Sequence, residues 1–331
     1  MVNRRFALHT PLCDLLGCEW PIMLAGMGGV ARHRLAAAVS HAGGFGVLGM
    51  VREPAERIAR EIDALRGEGV ERFAINLIPA ATERTLLHAQ VDLCIRKAVP
   101  WMALFWEVDH DLVRHLKAEG IRVIHQVGHR QDAERALRAG ADVLIAQGYE
   151  AGGHVRGETG ILPLLSDLVP LSPVPVVASG GIADGRGLAA ALALGAQGVS
   201  LGSAFLATHE SNAHDHHKFR LLQARAEDTV HTRRFNRNWH EDAPVRVLTN
   251  RVTRGEYDDL KANGIAEIIG EQDGKPVYLF STDSPLADAT GELDDMALYA
   301  GQSCSRINAL TSARERITTL IEEARQALNP P

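Results

Sequence analysis

Residues 141–154 have the sequence ADVLIAQGYEAGGH, in which a short apolar run ends in glycines and a histidine. The run has no polar alternation, which predicts a strand buried on both faces of a parallel sheet. A helix-like segment, 133–139, and Gly140 precede it, and glycine suits the left-handed residue that ends a helix. The same order of helix, glycine, apolar run and glycine recurs over 35–49 and 188–202. The stretch therefore predicts a parallel sheet built from repeated helix–strand units.

Apolar runs of this kind occur about eight times before residue 203. Helical patterns lie between successive runs, which favours a (β/α)8 TIM barrel of the α/β class over an open sheet. An open doubly wound sheet would carry Gly-x-Gly-x-x-Gly after its first strand, and Gly26-Met27-Gly28-Gly29 does not have that spacing. The predicted strands are 21–25, 47–49, 73–77, 101–105, 123–127, 143–147, 176–179 and 199–202.

The alternation of helix and strand is lost between about residues 209 and 300, where the sequence is polar and rich in histidine and arginine. We expect a mostly helical insertion here that caps one end of the barrel. The expected domains are a barrel formed by residues 1–208 and 301–331 and a helical cap formed by residues 209–300. A helix over roughly 303–328 is expected to close the chain.

The composition limits the classes of partner. The chain has 331 residues, 46% of them hydrophobic, and its formal net charge of −6 argues against a nucleic-acid or anionic membrane partner. No apolar run is long enough to span a membrane. The cysteines are scattered, as expected for reduced thiols in a cytoplasmic protein. We therefore expect a cytoplasmic protein that acts on a small-molecule substrate, and a homodimer is left open.

A histidine cluster near the start of the insertion superficially resembles a metal site. Apart from Glu210 and Asp215, no carboxylate flanks it at helical spacing. A solvated helix start explains the cluster more simply, and no metal is expected. Its members are His209, His214, His216 and His217.

Glycines and polar side chains collect after the predicted strands. In a barrel of this type the active site lies at the carboxyl ends of the strands. We therefore expect these residues to surround one site. They are Gly26, Met27, Gly28, Asn76, Gln126, His129, Gln147, Gly152, Gly153, His154, Ser179, Gly180, Gly181, Gly202 and Ser203.

The glycine loops after the last two predicted strands form a candidate phosphate site. Barrels frequently hold a phosphate at this position, and glycine amides with a helix N-terminus can bind a dianion without a lysine. Asp184 is expected to be the N-cap of the helix that follows the first of these loops. The alternative is that the glycines only form tight turns, but two such loops on adjacent strands favour a phosphate-bearing ligand.

His154 follows paired glycines beside this expected phosphate site. Histidine has the unperturbed pKa nearest neutrality, which suits a general acid or base. A buried structural histidine is the alternative. Glu150, in the same loop, either orients the loop or forms a salt bridge.

Together these residues resemble the nitronate monooxygenase family, formerly called 2-nitropropane dioxygenases, over most of the chain. Each motif is loose by itself, but their order makes the set specific. The motifs are Pro21-Ile22 with Gly26-Met27, residues 35–44, Asn76-Leu77, residues 146–154, residues 178–187, Gly202-Ser203, residues 243–250 and Ala300-Gly301-Gln302-Ser303.

The resemblance implies an FMN-dependent oxidoreductase whose barrel binds the flavin non-covalently. It makes His154 the catalytic acid or base and includes Gln126 and Gln302 among the cofactor contacts. It implies that the FMN phosphate lies on Gly180, Gly181, Gly202 and Ser203. It implies that the flavin ring lies near Gly26, Met27, Asn76, Gln147, Gly152 and Gly153.

Gln126 departs from the family pattern, because relatives commonly carry a lysine there, and His129 is open as a replacement cation. We expect oxidation of alkyl nitronates or nitroalkanes with O₂ to a carbonyl compound and nitrite. A second function stays open, in which FMN-dependent oxidation of NAD(P)H reduces a quinone or an enoyl thioester, as in the related enoyl-acyl-carrier-protein reductases II. A third is a barrel without flavin that binds another phosphorylated ligand.

Overall fold

The computed structural model describes residues 8–239, 243–264 and 267–328. Its central strands are β1 (Ile22–Leu24), β2 (Gly46–Gly49), β3 (Phe73–Leu77), β4 (Trp101–Leu104), β5 (Arg122–Val127), β6 (Val143–Gln147), β8 (Val176–Ser179) and β9 (Gly198–Leu201). Each matches a predicted strand to within one residue at either end. They form one parallel sheet in the order β1-β9-β8-β6-β5-β4-β3-β2.

Main-chain hydrogen bonds bring the two ends of this sheet together. The Leu24 N–H donates to the Phe45 carbonyl at 3.0 Å, and the Phe45 N–H donates to the Ile22 carbonyl at 2.9 Å. Met23 also forms a parallel bridge with Phe45, directly before β2. The sheet therefore closes, as a barrel requires, and the predicted (β/α)8 barrel is confirmed.

Seven of the eight barrel strands are buried along their whole length, as in β3, β6 and β8, and β5 is buried except at Arg122 and Gln126. Strands covered by the barrel interior on one side and by helices on the other have this pattern. Gly140, with φ of 102°, ends α6 as predicted. The helices are α1 (Pro11–Leu16), α2 (His33–His41), α3 (Ala55–Gly67), α4 (Arg84–Arg96), α5 (His110–Ala118), α6 (Arg130–Ala139), α7 (Ile161–Leu168), α8 (Gly185–Ala193) and α9 (Ser203–Leu206).

The expectation that residues 209–300 are mostly helical is wrong. Its described residues contain the helices α10 (Asp215–Gln223) and α11 (Asp258–Ala262), 14 residues in all, beside five short strands. β10 (Thr229–Thr232) and β11 (Val245–Leu248) form an antiparallel sheet with β7 (Gly153–His154). β12 (Ile268–Gln272), β13 (Lys275–Tyr278) and β14 (Thr290–Gly291) form another.

Two local patterns explain these strands. Val245 and Val247 alternate with a polar residue and are buried in an apolar cluster separate from the barrel core. Asp273 and Gly274 form the turn between β12 and β13, with φ of 51° and 68°. Asp-Gly is typical of two-residue hairpin turns, which need positive φ at both positions. Leu248, Leu286 and Leu298 of the insertion nevertheless belong to the barrel core, and the division into a barrel and a cap stays a proposal.

The last helix begins later than expected. α12 spans Ala313–Leu328, and Gln302–Arg306 form a 3₁₀ turn instead. α12 packs on α8, where an added Cβ at Gly185 would lie 2.3 Å from the Ala324 nitrogen. This contact places the chain end against the barrel, although residues 329–331 lie outside the described part. Within the described ranges, no helix has the length and apolar character needed to cross a membrane.

Candidate active site

A cavity of about 490 Å³ opens at the carboxyl ends of the barrel strands. The candidate residues were expected to gather at this end of the barrel, and all of them except His129 and Gln302 line the cavity. The predicted residues that line it are Gly26, Met27, Gly28, Asn76, Gln126, Gln147, Gly152, Gly153, His154, Ser179, Gly180, Gly181, Gly202 and Ser203.

Gln302 does not line the cavity, although its neighbours Gly301 and Ser303 do. Its main-chain N–H donates to the Glu150 carbonyl at 2.9 Å, which joins the 3₁₀ turn to the loop after β6. The Gly301 N–H donates to the Ser203 hydroxyl at 3.0 Å. The 300–303 segment therefore supports the candidate site through its main chain.

The expected phosphate end of the cavity presents main-chain donors. Gly180 and Gly181 have φ of 95° and 73°, a conformation that favours glycine. The N–H groups of Gly181 and Gly202 donate to no main-chain carbonyl of the described residues. Because main-chain N–H groups without a carbonyl partner can donate to an anion, the loops after β8 and β9 can hold a phosphate. Asp184 is the N-cap of α8, as predicted, and accepts from the Gly187 N–H at 3.0 Å.

Two buried polar atoms in the cavity wall have no hydrogen-bond partner within the described ranges. They are the Asn76 Oδ1 and the Ser200 Oγ. The Asn76 Nδ2 donates to the Ala103 carbonyl at 3.1 Å, which fixes the amide orientation. Gly26 leaves room for this amide, because an added Cβ would lie 2.3 Å from the Asn76 Cγ. Buried polar groups are normally paired, so these atoms fit a ligand with polar edges, such as FMN.

The loop that carries His154 is held by Gln147. The Gln147 Nε2 donates to the His154 carbonyl at 2.8 Å, and its Oε1 accepts from the Arg156 N–H at 3.1 Å. The Gln147 side chain therefore supports the loop. β7 also pairs with β11, with His154 opposite Val245. The main chain at His154 is thus bonded to both the barrel and the insertion.

The His154 ring lies in an aromatic wall. It stacks on Trp239 with ring centroids 3.7 Å apart and planes inclined by 23°. Trp106 meets it edge-on at 6.1 Å, and Tyr299 lies 6.2 Å away. Trp239 and Tyr299 belong to the insertion, and sequence reasoning missed both. An isolated tryptophan within a polar segment was the signal that could have found Trp239, since the chain has only four.

The two glycines before His154 have different reasons for being glycine. An added Cβ at Gly152 would lie 2.6 Å from the Gly301 nitrogen, so this glycine permits close packing of two loops. Gly153 has φ of 79°, and no atom lies within 4 Å of an added Cβ. Of these two glycines, only Gly153 has open space beside it, so only Gly153 is available for the close approach of a flavin ring.

Glu150 orients the loop, which was the first of its two expected roles. Both carboxylate oxygens accept from the Ile161 N–H, at 3.1 and 3.0 Å, and so satisfy the N-terminus of α7.

His129 does not replace the lysine that relatives carry at Gln126. It is the N-cap of α6, where its Nδ1 accepts from the Asp132 N–H at 3.3 Å, and it does not line the cavity. The lysine and arginine side chains that line the cavity in the described ranges are Arg52 and Lys275.

The histidines near the start of the insertion have separate structural contacts. His214 is the N-cap of α10, and His216 pairs with Asp294 at 3.0 Å. The His217 Nε2 donates to the Tyr299 carbonyl at 3.0 Å. In the described part of the chain, no group of three or more potential ligands is arranged to hold a metal ion.

Comparisons with known proteins identify one matching family model and several similar proteins. A family model described as nitronate monooxygenase matches residues 9–103 and 88–323. A probable nitronate monooxygenase of Staphylococcus saprophyticus is 30% identical, over 97% of this chain and 99% of that protein. A (3aS,4S,5R,7aS)-5-hydroxy-7a-methyl-1-oxo-octahydro-1H-indene-4-carboxyl-CoA dehydrogenase of Mycobacterium tuberculosis is 36% identical, over 78% of this chain and 71% of that protein. The structure of FabK from Thermotoga maritima matches with a TM-score of 0.84 and 30% identity, over 97% of this chain and 98% of that chain.

Proposed function

Because the chain belongs to the nitronate monooxygenase family and is an oxidoreductase, we propose that it uses FMN and O₂ to oxidise alkyl nitronates or nitroalkanes. The products would be a carbonyl compound and nitrite. The observation that carries the proposal is the position of His154. Its side chain lines the same cavity as the glycine loops after β8 and β9.

The donor set supports FMN as the proposed cofactor. Gly180, Gly181, Gly202 and Ser203 would hold its phosphate, and Gly26, Met27, Asn76 and Gly153 would contact its ring. Gln126 would contact the ring without supplying a charge. When bound, FMN supplies electron transfer between the organic substrate and O₂.

The His154 imidazole would act on the substrate proton. With a nitroalkane, it accepts the proton from the carbon that carries the nitro group. With a nitronate, it donates a hydrogen bond to a nitronate oxygen. Gln147 holds the main chain and Trp239 holds the ring, so the imidazole is oriented before the substrate arrives, which reduces the barrier.

An absorbance spectrum of the purified protein tests for bound flavin, and aerobic incubation with propionate 3-nitronate tests for turnover. We expect oxygen uptake with nitrite release. His154→Asn should lower kcat by about 10²-fold or more, as removal of a general acid or base does. Absence of turnover with every nitronate tested would exclude the proposed reaction.

Oxidation of NAD(P)H is the second candidate function. The match to FabK over nearly the whole chain supports it, and the uncharged Gln126 leaves the choice between the two functions open. The Mycobacterium tuberculosis relative, which is named as a dehydrogenase of a CoA compound, points toward thioester substrates as well. Anaerobic mixing with NADH and with NADPH separates the two functions, because rapid bleaching of the flavin favours the reductase.

A barrel that binds a different phosphorylated ligand is the remaining candidate. A colourless protein that takes up no added FMN would support it.

A further inference from the structure

Trp106, in the loop after β4, has a strained main chain. Its φ of 83° lies in the left-handed region, which is unusual for a residue other than glycine. A bulky residue in this conformation costs free energy and persists only where its surroundings hold it. The indole is 2% exposed, and it meets Phe105, a residue of the cavity wall, edge-on with ring centroids 5.5 Å apart. The surroundings of Trp106 therefore fix where this ring lies.

The indole of Trp106 contacts both rings of the stacked pair at the active site. Its centroid lies 6.1 Å from that of His154 and 5.7 Å from that of Trp239, with interplanar angles of 85° and 76°. Edge-to-face contacts between aromatic rings have a preferred geometry. A rotation of the Trp106 indole would therefore disturb the orientation of the His154 ring.

A guanidinium covers the indole of Trp106. The Arg156 Cζ lies 5.1 Å from the centroid of that ring, which is within the range of a cation–π contact. The Arg156 Nε donates to the Asp132 Oδ2 at 3.0 Å, and the Arg156 main-chain N–H donates to the Gln147 Oε1 at 3.1 Å. Arg156 is therefore held through both its side chain and its main chain.

Asp132 is a buried anchor for this guanidinium. Its side chain is 1% exposed, and its Oδ2 also lies 3.2 Å from the His129 Nε2. A buried carboxylate is costly unless a cation is paired with it. Arg130 and Glu134, in the same helix, form a pair at 2.9 Å whose side chains are 54% and 36% exposed. An exposed pair of that kind contributes little, so it provides a matched control for the buried pair.

We propose that Arg156 is a positioning residue that holds the Trp106 indole against the His154 ring, with Asp132 as its anchor. Arg156 is not among the described residues that line the cavity, so it acts on the reacting atoms only through these rings. The kinetic consequence rests on the proposed function, because it requires His154 to act as the acid or base. The ring geometry does not depend on the reaction.

The variant Arg156→Gln/Asp132→Asn removes both charges and leaves no buried charge without a partner, so it should keep a Tm close to normal. We expect kcat to fall by about fivefold, as loss of a cation–π contact implies. KM should change by less than about twofold, because the orientation of His154 affects the transition state more than substrate binding. Arg156→Lys keeps a cation but not the planar group, and should show a smaller loss of the same kind.

A second measurement needs no turnover. In NMR spectra of protein with ¹³C-labelled histidine rings, the His154 signals are assigned by their absence in His154→Asn. Ring currents of the neighbouring indoles displace these signals from those of a solvent-exposed histidine. The displacement should become smaller in Arg156→Gln/Asp132→Asn. The control Arg130→Gln/Glu134→Gln, which removes the exposed pair, should leave the signals and kcat unchanged.

A double-mutant cycle separates action through Trp106 from a general structural effect. In Trp106→Leu, further loss of the Arg156 and Asp132 charges should change kcat by less than about twofold, because the ring through which they act is absent. The proposal is overturned if the His154 signals of Arg156→Gln/Asp132→Asn are unchanged, or if the control variant changes them as much. An equal effect of the two charges on kcat with and without Trp106 would also overturn it. Absence of turnover by the normal protein would instead contradict the proposed function, and the NMR comparison would still decide this proposal.

Discussion

The orientation of His154 is fixed separately through its main chain and its ring. Gln147 of the barrel holds the carbonyl, and Trp239 of the insertion holds the imidazole plane. Neither contact alone determines the direction of the ring nitrogens. Two parts of the chain that are distant in sequence therefore share control of one side chain.

Replacement of Trp239 should separate stacking from simple filling of space. In Trp239→Phe an aromatic face remains, so kcat should stay within about threefold of normal. Trp239→Leu should lower kcat by about tenfold, because an aromatic pair contributes about 0.5–1.5 kcal/mol. KM should change less than kcat in both variants. Steady-state kinetics with an alkyl nitronate measures this, and equal losses in both variants would mean that stacking does not orient His154.

The strand-end residues of the candidate site could be predicted because glycine and polar residues after buried runs are visible in the sequence. The structural roles of individual residues at this site could not be predicted. Gly152 is required by the Gly301 main chain, and Gln147 by the His154 carbonyl. Both contacts depend on how two loops pack. Arg52 and Trp239 were missed because their positions in the wall depend on how the insertion folds over the barrel.

The β12–β13 hairpin of the insertion contacts α3 of the barrel. Its turn residue Asp273 pairs with Arg57 of α3 at 3.0 Å, and the Asp273 N–H donates to Asp288 at 2.7 Å. Gln272 and Lys275, on either side of the turn, line the cavity. The hairpin therefore forms part of the cavity wall and is joined to α3 by a partly exposed ion pair.

Asp273→Asn should loosen this hairpin without breaking its turn. Asn-Gly is as suitable as Asp-Gly for a two-residue turn, so only the charge is lost. Amide hydrogen exchange over residues 268–278 should accelerate by about two- to fivefold, since a partly exposed ion pair contributes about 0.5–1 kcal/mol. Lys275→Gln on the same hairpin is the control and should exchange at the normal rate. No change in Asp273→Asn would show that Arg57 does not restrain the hairpin.

The barrel strands could be predicted from sequence because each is short and largely buried, and most have a glycine near at least one end. Apart from β11, which is buried throughout, the strands of the insertion are mostly half-buried or exposed and lie among charged residues. β12, for example, has one buried residue out of five. The Asp273-Gly274 pair was the local sequence signal for β12 and β13, whereas the polar composition of the segment led to the expectation of helices.

Two histidines buried in different parts of the molecule make its stability depend on pH. Burial lowers the pKa of His125, in β5, to about 4, and burial lowers the pKa of His217, in α10, to about 4. In the unfolded chain both have a pKa of about 6.5. Between these values the unfolded chain binds protons that the folded chain does not bind. Stability therefore falls as the pH falls through this window, and is unaffected by these groups above it.

The free energy of unfolding should accordingly decrease between about pH 7 and about pH 5, with each of these histidines contributing about 2 kcal/mol. In His217→Gln the side chain can still donate to the Tyr299 carbonyl but does not titrate, so the decrease should be smaller by about that amount. Denaturant unfolding at both pH values measures the difference. An unchanged pH dependence in the variant would mean that His217 does not titrate in this window.

The pairing of β7 with β11 has a consequence for protein engineering. Residues 153–154 pair with residues 245–246 of the insertion. A chimera that carries a relative's insertion therefore also replaces the strand that positions the main chain of His154. A chimera in which the register of this pairing is shifted by one residue would exchange inward-facing and outward-facing side chains. Successful transplants should therefore keep the spacing between the graft junction and Val245, and libraries that vary loop length are best confined to the segments beyond that strand.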